Sequence, residues 1–319
     1  MKPPTFRFHE GLLDTEDLRA TVIEGLSARP RCLPPKLFYD RRGSELFEVI
    51  CALPEYYLTR TETAILHDCA EEVAAIVGQQ GLLVELGSGA SRKVRLLLET
   101  LQPASYLGID ISRDFLRESA QQLARDYPGL EVHAAWADFS RPFTLPAEIT
   151  GGLPMAFFPG SSIGNCEPIQ ARALLSRIAR LIGHGGHLLI GVDLQKDRDV
   201  MEAAYNDAQG VTAAFNRNVL IHIREALDAE LNEEAFYHQA YYDETHGRIE
   251  MHLISETRQT IRIGSRVFHF AEGEGIHTEN SHKYTVDGFH RLAGESGFAP
   301  ERVWTDPDRL FSVHLLRAR

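Results

Sequence analysis

The sequence predicts an α/β protein: a mostly parallel sheet with helices on both faces, carrying a smaller α+β unit. Three observations predict it. From about residue 61, short apolar strands alternate with amphipathic helices, the rhythm of a parallel sheet covered on both sides. Residues 235–270 break that rhythm with short alternating strands separated by turn residues. After residue 285 the first rhythm returns. We therefore expect a core of residues 61–196 plus 286–319, and a second α+β unit of residues 1–60 plus 197–285.

Each element has its own signal. Pro30, Pro34, Pro35 and Pro54 punctuate short helical patterns in residues 1–60. TRTETAILHDCAEEVAAIV has apolar residues at helical spacing, with Thr61 or Thr63 as the expected N-cap. GLLVEL, SYLGID, LEVHAAWAD, PMAFFPGSS and HLLIGVDL read as strands. Between them, SRKVRLLLETL, RDFLRESAQQLARDY and PIQARALLSRIARLI read as helices. Residues 197–231 look helical, and the strands of 235–270 have turn candidates at His246-Gly247 and Gly264-Ser265. VDGFHRLAGESG is a helix; PERVWTD and LFSVHLLRA are strands with no room between them for a crossover, so they form an antiparallel pair at one sheet edge. Neither an internal repeat nor a low-complexity segment is evident.

Composition narrows the partners. With 319 residues, 44% of them hydrophobic, the chain can bury a full core. Its 45 acidic residues against 33 basic give a net charge of −12. Such a surface repels phosphate backbones and anionic membranes, so neither a nucleic-acid nor a membrane partner is expected. Cys32, Cys51, Cys69 and Cys166 show no CxxC pairing, as expected of thiols in a reducing compartment. MKPPTFRFHEG lacks the apolar centre of a signal peptide and no run approaches a membrane span, so a cytoplasmic protein is expected.

The stretch LLVELGSGASRK (Leu82 to Lys93) is the most informative. A strand–glycine–helix junction can hold a nucleotide phosphate, a dinucleotide or S-adenosylmethionine (SAM). A Walker A loop needs Gly before its Lys, and Arg92 precedes Lys93. A dinucleotide loop wants a third glycine where Arg92 stands. SAM needs close backbone approach, which Gly87 and Gly89 allow, and a carboxylate for its ribose, which Asp110 supplies roughly 20 residues on. Asp110 alone does not separate SAM from NAD, since both carry a ribose. Asp138-Phe139, after the third strand, adds a carboxylate for an adenine amine and an aromatic against its ring. Glu85–Gly89, Asp110, Asp138 and the Phe158–Asn165 loop would then line one crevice at the sheet's carboxyl edge. With the GHGG turn and the closing antiparallel pair, this resembles a class I (Rossmann-like) methyltransferase, whose sheet has seven strands.

A closer resemblance covers nearly the whole chain. FYDRRGSELFEVICALPEYYLTRTE, VELGSGASRK, FPGSSIGN, AYNDAQGVTAAFNRNVL, RIEMHL and TENSHKY resemble the L-histidine Nα-methyltransferases of ergothioneine biosynthesis. The resemblance implies three methyl transfers from SAM, converting histidine to hercynine (Nα,Nα,Nα-trimethylhistidine), with S-adenosylhomocysteine (SAH) as co-product. It implies that Tyr56, Asn165 and Tyr205 hold the substrate's α-amino and carboxylate end, and that Met251, Glu279 and Ser281 surround its imidazole. Tyr39, Gly87, Ser88, Lys93, Asp110, Asp138 and Phe139 are the implied SAM contacts, and Tyr39 and Asn165 the residues that orient the nucleophilic nitrogen. Asn280 and the GHGG turn depart from the family's pattern, as does His252, which stands where an aromatic is usual.

The chemistry is coherent with these residues. Methyl transfer from a sulfonium is an in-line displacement whose leaving thioether needs no acid, so positioning can supply most of the catalysis. A carboxylate at Glu279 accepting the imidazole N–H would select histidine over apolar aromatic amino acids. Tyr39, Phe47 and Tyr56 could form an aromatic wall that tolerates a growing quaternary ammonium. The rivals are an N-methyltransferase for another amino acid or indole amine, an NAD-dependent oxidoreductase, a nucleic-acid methyltransferase and a non-catalytic SAM sensor. Of these, the oxidoreductase lacks its third glycine, and the nucleic-acid enzyme lacks the Asn-Pro-Pro-aromatic pattern at FPGSSIGN. The 14 histidines follow no HExxH pattern and no i, i+4 pairing, so no metal is expected. A monomer acting on a small molecule is the expected form.

Overall fold

Strand β3 (Leu82–Leu86) is buried along its whole length, which requires a covered neighbour on each side and on each face. The computed structural model, which describes residues 5–10, 18–78, 81–149 and 152–319, supplies both. The chain divides into two compact units: Met1–Leu13, Leu58–Lys196 and Lys283–Arg319 form the first, Asp14–Tyr57 and Asp197–His282 the second.

The first unit is an eight-stranded sheet. Its strands are β1 (Thr5–His9), β3, β4 (Ser105–Asp110), β5 (Glu131–Trp136), β6 (Pro154–Phe158), β7 (His187–Asp193), β13 (Phe298–Thr305) and β14 (Phe311–Ala318), in the order β1-β5-β4-β3-β6-β7-β14-β13. Strand β14 runs against the direction of the other seven described strands, pairing antiparallel with both β7 and β13. Apart from β1, this is the class I methyltransferase arrangement. Chain order reverses between β3 and β6, so the loops leaving those two strands open a crevice at the carboxyl edge.

Helices α3 (Tyr57–Val77), α4 (Val94–Leu101), α5 (Arg113–Asp126), α6 (Pro168–Ile182) and α9 (Val286–Glu295) belong to this unit. Their apolar stripes explain them. Helix α4 buries Val94, Leu97, Leu98 and Leu101, an i, i+3, i+4, i+7 set. Helix α6 begins with Pro168, and the Glu167 N–H ahead of it donates to Gln170 Oε1 at 3.0 Å. At the end of β7, Asp193 accepts from Lys196 (2.6 Å) and Lys283 (2.7 Å), pinning together the points where the chain leaves and re-enters this unit.

Three expectations need correction. Residues 1–60 do not all belong to the second unit, because Thr5–His9 pairs in parallel with β5 and extends the sheet to eight strands. His9 Nε2 lies 2.9 Å from His133 Nδ1 with the rings stacked, and Arg117 covers Phe8 at 4.2 Å. The units also change over at Leu58 and Lys283, a few residues from the expected positions. Helix α3 begins at Tyr57, so Thr61 and Thr63 lie inside it and cap nothing; Thr63 Oγ1 donates back to the Thr59 carbonyl at 2.7 Å.

The second unit packs helices on a four-stranded sheet ordered β2-β12-β9-β8, from β2 (Arg31–Cys32), β8 (Phe236–Asp243), β9 (Arg248–Ser255) and β12 (Gly275–His282). A separate hairpin joins β10 (Gln259–Ile263) to β11 (Arg266–Phe270). Its helices are α1 (Leu18–Ser27), α2 (Arg41–Ile50), α7 (Arg198–Ala203) and α8 (Val211–Leu227). Asp40 caps α2 by accepting the Gly43 N–H at 2.8 Å and also receives Asn218 Nδ2 of α8 at 2.7 Å, fixing the segment that carries Tyr39. Both anticipated turns occur, with Gly247 and Gly264 at positive φ.

Candidate functional site

The loop after β3 decides the class of ligand. Gly87 N–H and Ser88 N–H both donate to the Ile109 carbonyl, at 2.9 and 3.2 Å, and Ser91 N–H donates to the Ser88 carbonyl at 2.7 Å. Gly89 N–H donates to Asp110 Oδ2 at 2.9 Å, while Asp110 Oδ1 takes the Ser112 N–H at 2.9 Å. A phosphate-binding loop leaves such amides free to converge on an anion. Here four of them are spent within the fold, and the side chain that takes the Gly89 N–H is itself an acid. Gly87 and Gly89 sit at φ +71° and +47°; a Cβ at Gly89 would meet nothing within 4 Å, and one at Gly87 would meet only the edge of Phe139 at 3.6 Å or more. Bare backbone beside open space and an aromatic ring suits SAM. Phe139 packs edge-on to Phe158 (5.4 Å), and Asp138 Oδ1 accepts from Ser140 N at 2.9 Å.

Glu85, one residue inside β3, is buried, and Tyr106 donates to its Oε2 at 2.5 Å. Burial pushes its carboxyl up to about 8, against the Tyr106 hydrogen bond and the Lys93 charge, which favour ionisation. Burial also raises Asp110, opposed by the N–H groups of Ser112 and Gly89. Asn165 ends a short 3₁₀ turn, Ser162–Asn165, that follows Gly160 (φ +81°) and Ser161 (φ +57°). Those two left-handed residues turn the chain sharply off β6 and place Asn165 at the same sheet edge.

In the second unit, aromatic rings and one acid gather. Tyr39 meets Phe47 edge-on at 5.8 Å, Phe47 meets Tyr56 at 6.3 Å, and Tyr56 meets Tyr205 at 6.5 Å, with Phe215 6.0 Å from Phe47. Tyr205 donates its hydroxyl to Ser281 Oγ at 2.7 Å. Burial holds the Tyr56 phenol well above its ordinary value, reinforced by Tyr205, Cys51, Tyr39 and Glu279 nearby, so it stays a neutral donor.

Glu279 owes its direction to a β-bulge. His277 pairs with His252, but Glu279 pairs with Met251, the next residue of β9. Neighbours on a strand point to opposite faces and cross-strand partners share one, so the bulge puts Glu279 on the Met251 face, away from His277. Thr278, the extra residue, is held by Asn216 Oδ1 (2.7 Å) and the Met251 carbonyl (3.0 Å). The structure thus gathers Tyr56, Tyr205, Met251, Glu279, Ser281 and Tyr39 in one unit, and Gly87, Ser88, Lys93, Asp110, Asp138, Phe139 and Asn165 in the other.

Comparison with known proteins gives the family. The family described as histidine-specific methyltransferase, SAM-dependent, matches residues 18–318. The chain is 40% identical over 306 residues to the histidine N-alpha-methyltransferase of Mycolicibacterium smegmatis, covering 94% of each chain. It is 39% identical over 305 residues to the histidine N-alpha-methyltransferase of Mycobacterium tuberculosis, covering 93% of this chain and 94% of that one. It is also 33% identical over 296 residues to ergothioneine biosynthesis protein 1 of Neurospora crassa, spanning 90% of this chain and a 33% share of that longer protein. The chain belongs to the histidine-specific, SAM-dependent methyltransferase family.

Within that family frame, one residue that the sequence did not single out stands out. Glu62 of α3 is wholly buried, accepts the Gly160 N–H on both oxygens (3.0 and 2.9 Å) and pairs with Lys93. Its signal was available: it occupies an apolar register with buried Leu58, Ile65, Leu66, Cys69 and Val73.

One cluster has metal-ligand chemistry. Single ligand atoms of Glu250, His252 and His277 lie within 4.8 Å of one another. However, Arg248 holds Glu250 Oε1 (2.6 Å), and Tyr241 and His252 each reach Oε2 (2.9 Å). The His252 and His277 rings are stacked at 4.9 Å, so their in-plane lone pairs run side by side instead of converging. The cluster reads as a hydrogen-bonded brace of β9 to Tyr241 of β8, with the His277 ring of β12 stacked on His252, and His252 does what an aromatic would by stacking on Tyr241.

Glu85 gives a pH signature. Its unfolded carboxyl ionises near 4.5 and its folded one near 8, so between these the native state keeps a proton the unfolded chain has lost. This group's contribution to stability therefore falls as pH rises across that window. Chemical denaturation of the ligand-free protein from pH 5 to 8 is expected to show a decline that Glu85→Gln flattens; parallel curves for the two proteins would contradict the assignment.

Proposed function

We propose that the chain transfers three methyl groups from SAM to the α-amino nitrogen of L-histidine, giving hercynine, a step of ergothioneine biosynthesis. The observation that carries this reading is Glu279: a buried acid, turned by a bulge onto the Met251 face, within electrostatic reach of Tyr56. In a family specific for histidine, such a carboxylate has a direct use as acceptor of the imidazole N–H.

The other residues follow from the same reading. Tyr56, Tyr205 and Asn165 hold the amino and carboxylate end; Met251 and Ser281 complete the imidazole pocket, the latter fixed by the Tyr205 hydroxyl. Gly87, Ser88, Lys93, Asp110, Asp138 and Phe139, with Tyr39, take SAM. When bound, SAM supplies an electrophilic methyl on a sulfonium, and its positive charge favours the unprotonated amine. No strong base is then required. Tyr39 and Asn165 orient the nitrogen, which must stand about 3 Å from the methyl carbon and in line. The edge-on series Tyr39, Phe47, Tyr56 gives the nitrogen polarisable neighbours as it becomes a quaternary ammonium.

The second unit is the substrate-binding part and the first the SAM-binding core. The protein works as a monomer in the cytoplasm on a free amino acid, without nucleic acid, membrane or metal. None of its four cysteines is in a disulfide, and among the described residues no helix is long and apolar enough to cross a membrane.

Two variants test the assignments. Glu279→Ala should lower kcat/KM for histidine about 10–100-fold, the worth of one charge-assisted hydrogen bond, and should narrow the preference over apolar aromatic amino acids. An unchanged preference would move the substrate to another amine. Tyr56→Ala should slow the last transfer most, so that mono- and dimethylhistidine accumulate in a mass-resolved time course. A normal rate through all three steps would remove the aromatic wall from the mechanism.

A further inference from the structure

Glu62 presents an energetic puzzle. Its side chain has no solvent exposure, and removing a carboxylate from water costs several kcal/mol that a hydrophobic residue at this helical position would avoid. The fold is nevertheless shaped around it. A Cβ on Gly191 of β7 would come within 1.9 Å of Glu62 Oε1, so the neighbouring strand leaves room for the carboxylate and no more. Glu62 ties helix α3 to Lys93 beyond β3 and to Gly160 beyond β6, the two loops at the reversal of strand order.

The partner explains the acid. A Cβ on Gly160 would lie 3.9 Å from Lys93 Nζ, so the ammonium sits against the loop after β6, and its side chain is only 18% exposed. Lys93, Asp110 and Glu62 all act electrostatically on buried Glu85. The carboxyl edge of the sheet therefore holds several acids and a cation in one low-dielectric neighbourhood. An unbalanced ammonium there would repel a sulfonium strongly, because Coulomb energies grow as water is excluded.

We propose that Glu62 is a positioning residue that sets the charge of the SAM site. By neutralising and fixing Lys93, it makes the pocket accept the cationic methyl donor in preference to the uncharged thioether product. This rests on reading the loop after β3 as the SAM site. SAM and SAH share the adenosine and the amino-acid end and differ in one methyl and one positive charge. A purely structural role for Glu62 would weaken both ligands alike, whereas a charge role weakens SAM more. The distinction matters for an enzyme that makes three transfers and leaves one SAH behind at each.

The test is calorimetric titration of SAM and of SAH into the full-length wild type, Glu62→Gln, Lys93→Met and the double variant at pH 7. Glu62→Gln should raise the ratio of Kd for SAM to Kd for SAH about tenfold, as expected for a unit charge left unbalanced nearby at an effective dielectric of about 20. Lys93→Met, which leaves Glu62 uncompensated, should shift the ratio the other way. The double variant should return it to within about twofold of wild type. Should Glu62→Gln not fold, the shift with Lys93→Met still decides the matter. Equal losses for both ligands, with the ratio fixed in every variant, would overturn the proposal and leave Glu62 a structural residue. Failure of the wild type to bind SAM would instead overturn the reading of the site, a separate outcome.

Discussion

Backbone amides in a tight turn must find acceptors, and where they find them determines what the turn can bind. In the loop after β3 the acceptors are the Ile109 carbonyl and the Asp110 carboxylate at the end of the neighbouring strand. That interaction holds Gly87 and Gly89 in left-handed conformations with their Cα faces bare. It also removes the amides that would have gripped a phosphate. The same carboxylate that secures the loop is the one proposed to meet the ligand's ribose. The parallel sheet places this loop beside the one leaving β6, where strand order reverses. The sheet thus provides a place for the ligand, and the pairing of loop and acid decides its kind.

Charge runs through the rest of the molecule in a consistent sense. Both the cofactor and the final product carry a fixed positive charge on a sulfonium or quaternary nitrogen. The buried charged groups at the proposed SAM site are acids, apart from Lys93, which is matched to Glu62. The rings assigned to the second are Tyr39, Phe47 and Tyr56, whose faces attract a cation without fixing it by a salt bridge. A carboxylate appears in the substrate unit at Glu279, where the proposed partner is an imidazole N–H. A net charge of −12 fits the same pattern at long range.

Much of this was legible in the sequence because its signals are local. GLLVELGSG announces a strand and a glycine turn, and SYLGID ends in the acid that secures that turn. PERVWTD and LFSVHLLRA are too close together to be anything but an antiparallel pair. The features that were not legible depend on partners far away in the chain. Thr5–His9 is a short edge strand whose identity depends on pairing with β5 and on His133. The start of α3 was hidden because Thr61 and Thr63 offered plausible caps, whereas the helix already begins at Tyr57. The bulge at Thr278 can be seen only once β9 and β12 are in register, and without it Glu279 would share the face of His277. The grouping of Glu250, His252 and His277 likewise comes from cross-strand pairing, which no spacing rule for helices detects. Glu62 was visible as an acid in an apolar stripe, but its meaning needed Lys93, Gly160 and Gly191 around it.

The most direct test of the central claim is a mass-resolved assay of the purified protein with SAM and a panel of free amino acids that includes histidine and tryptophan. Histidine alone should be converted efficiently, and the end product should carry three added methyl groups. SAM binding with no turnover of histidine, or efficient turnover of an indole amino acid in its place, would contradict it.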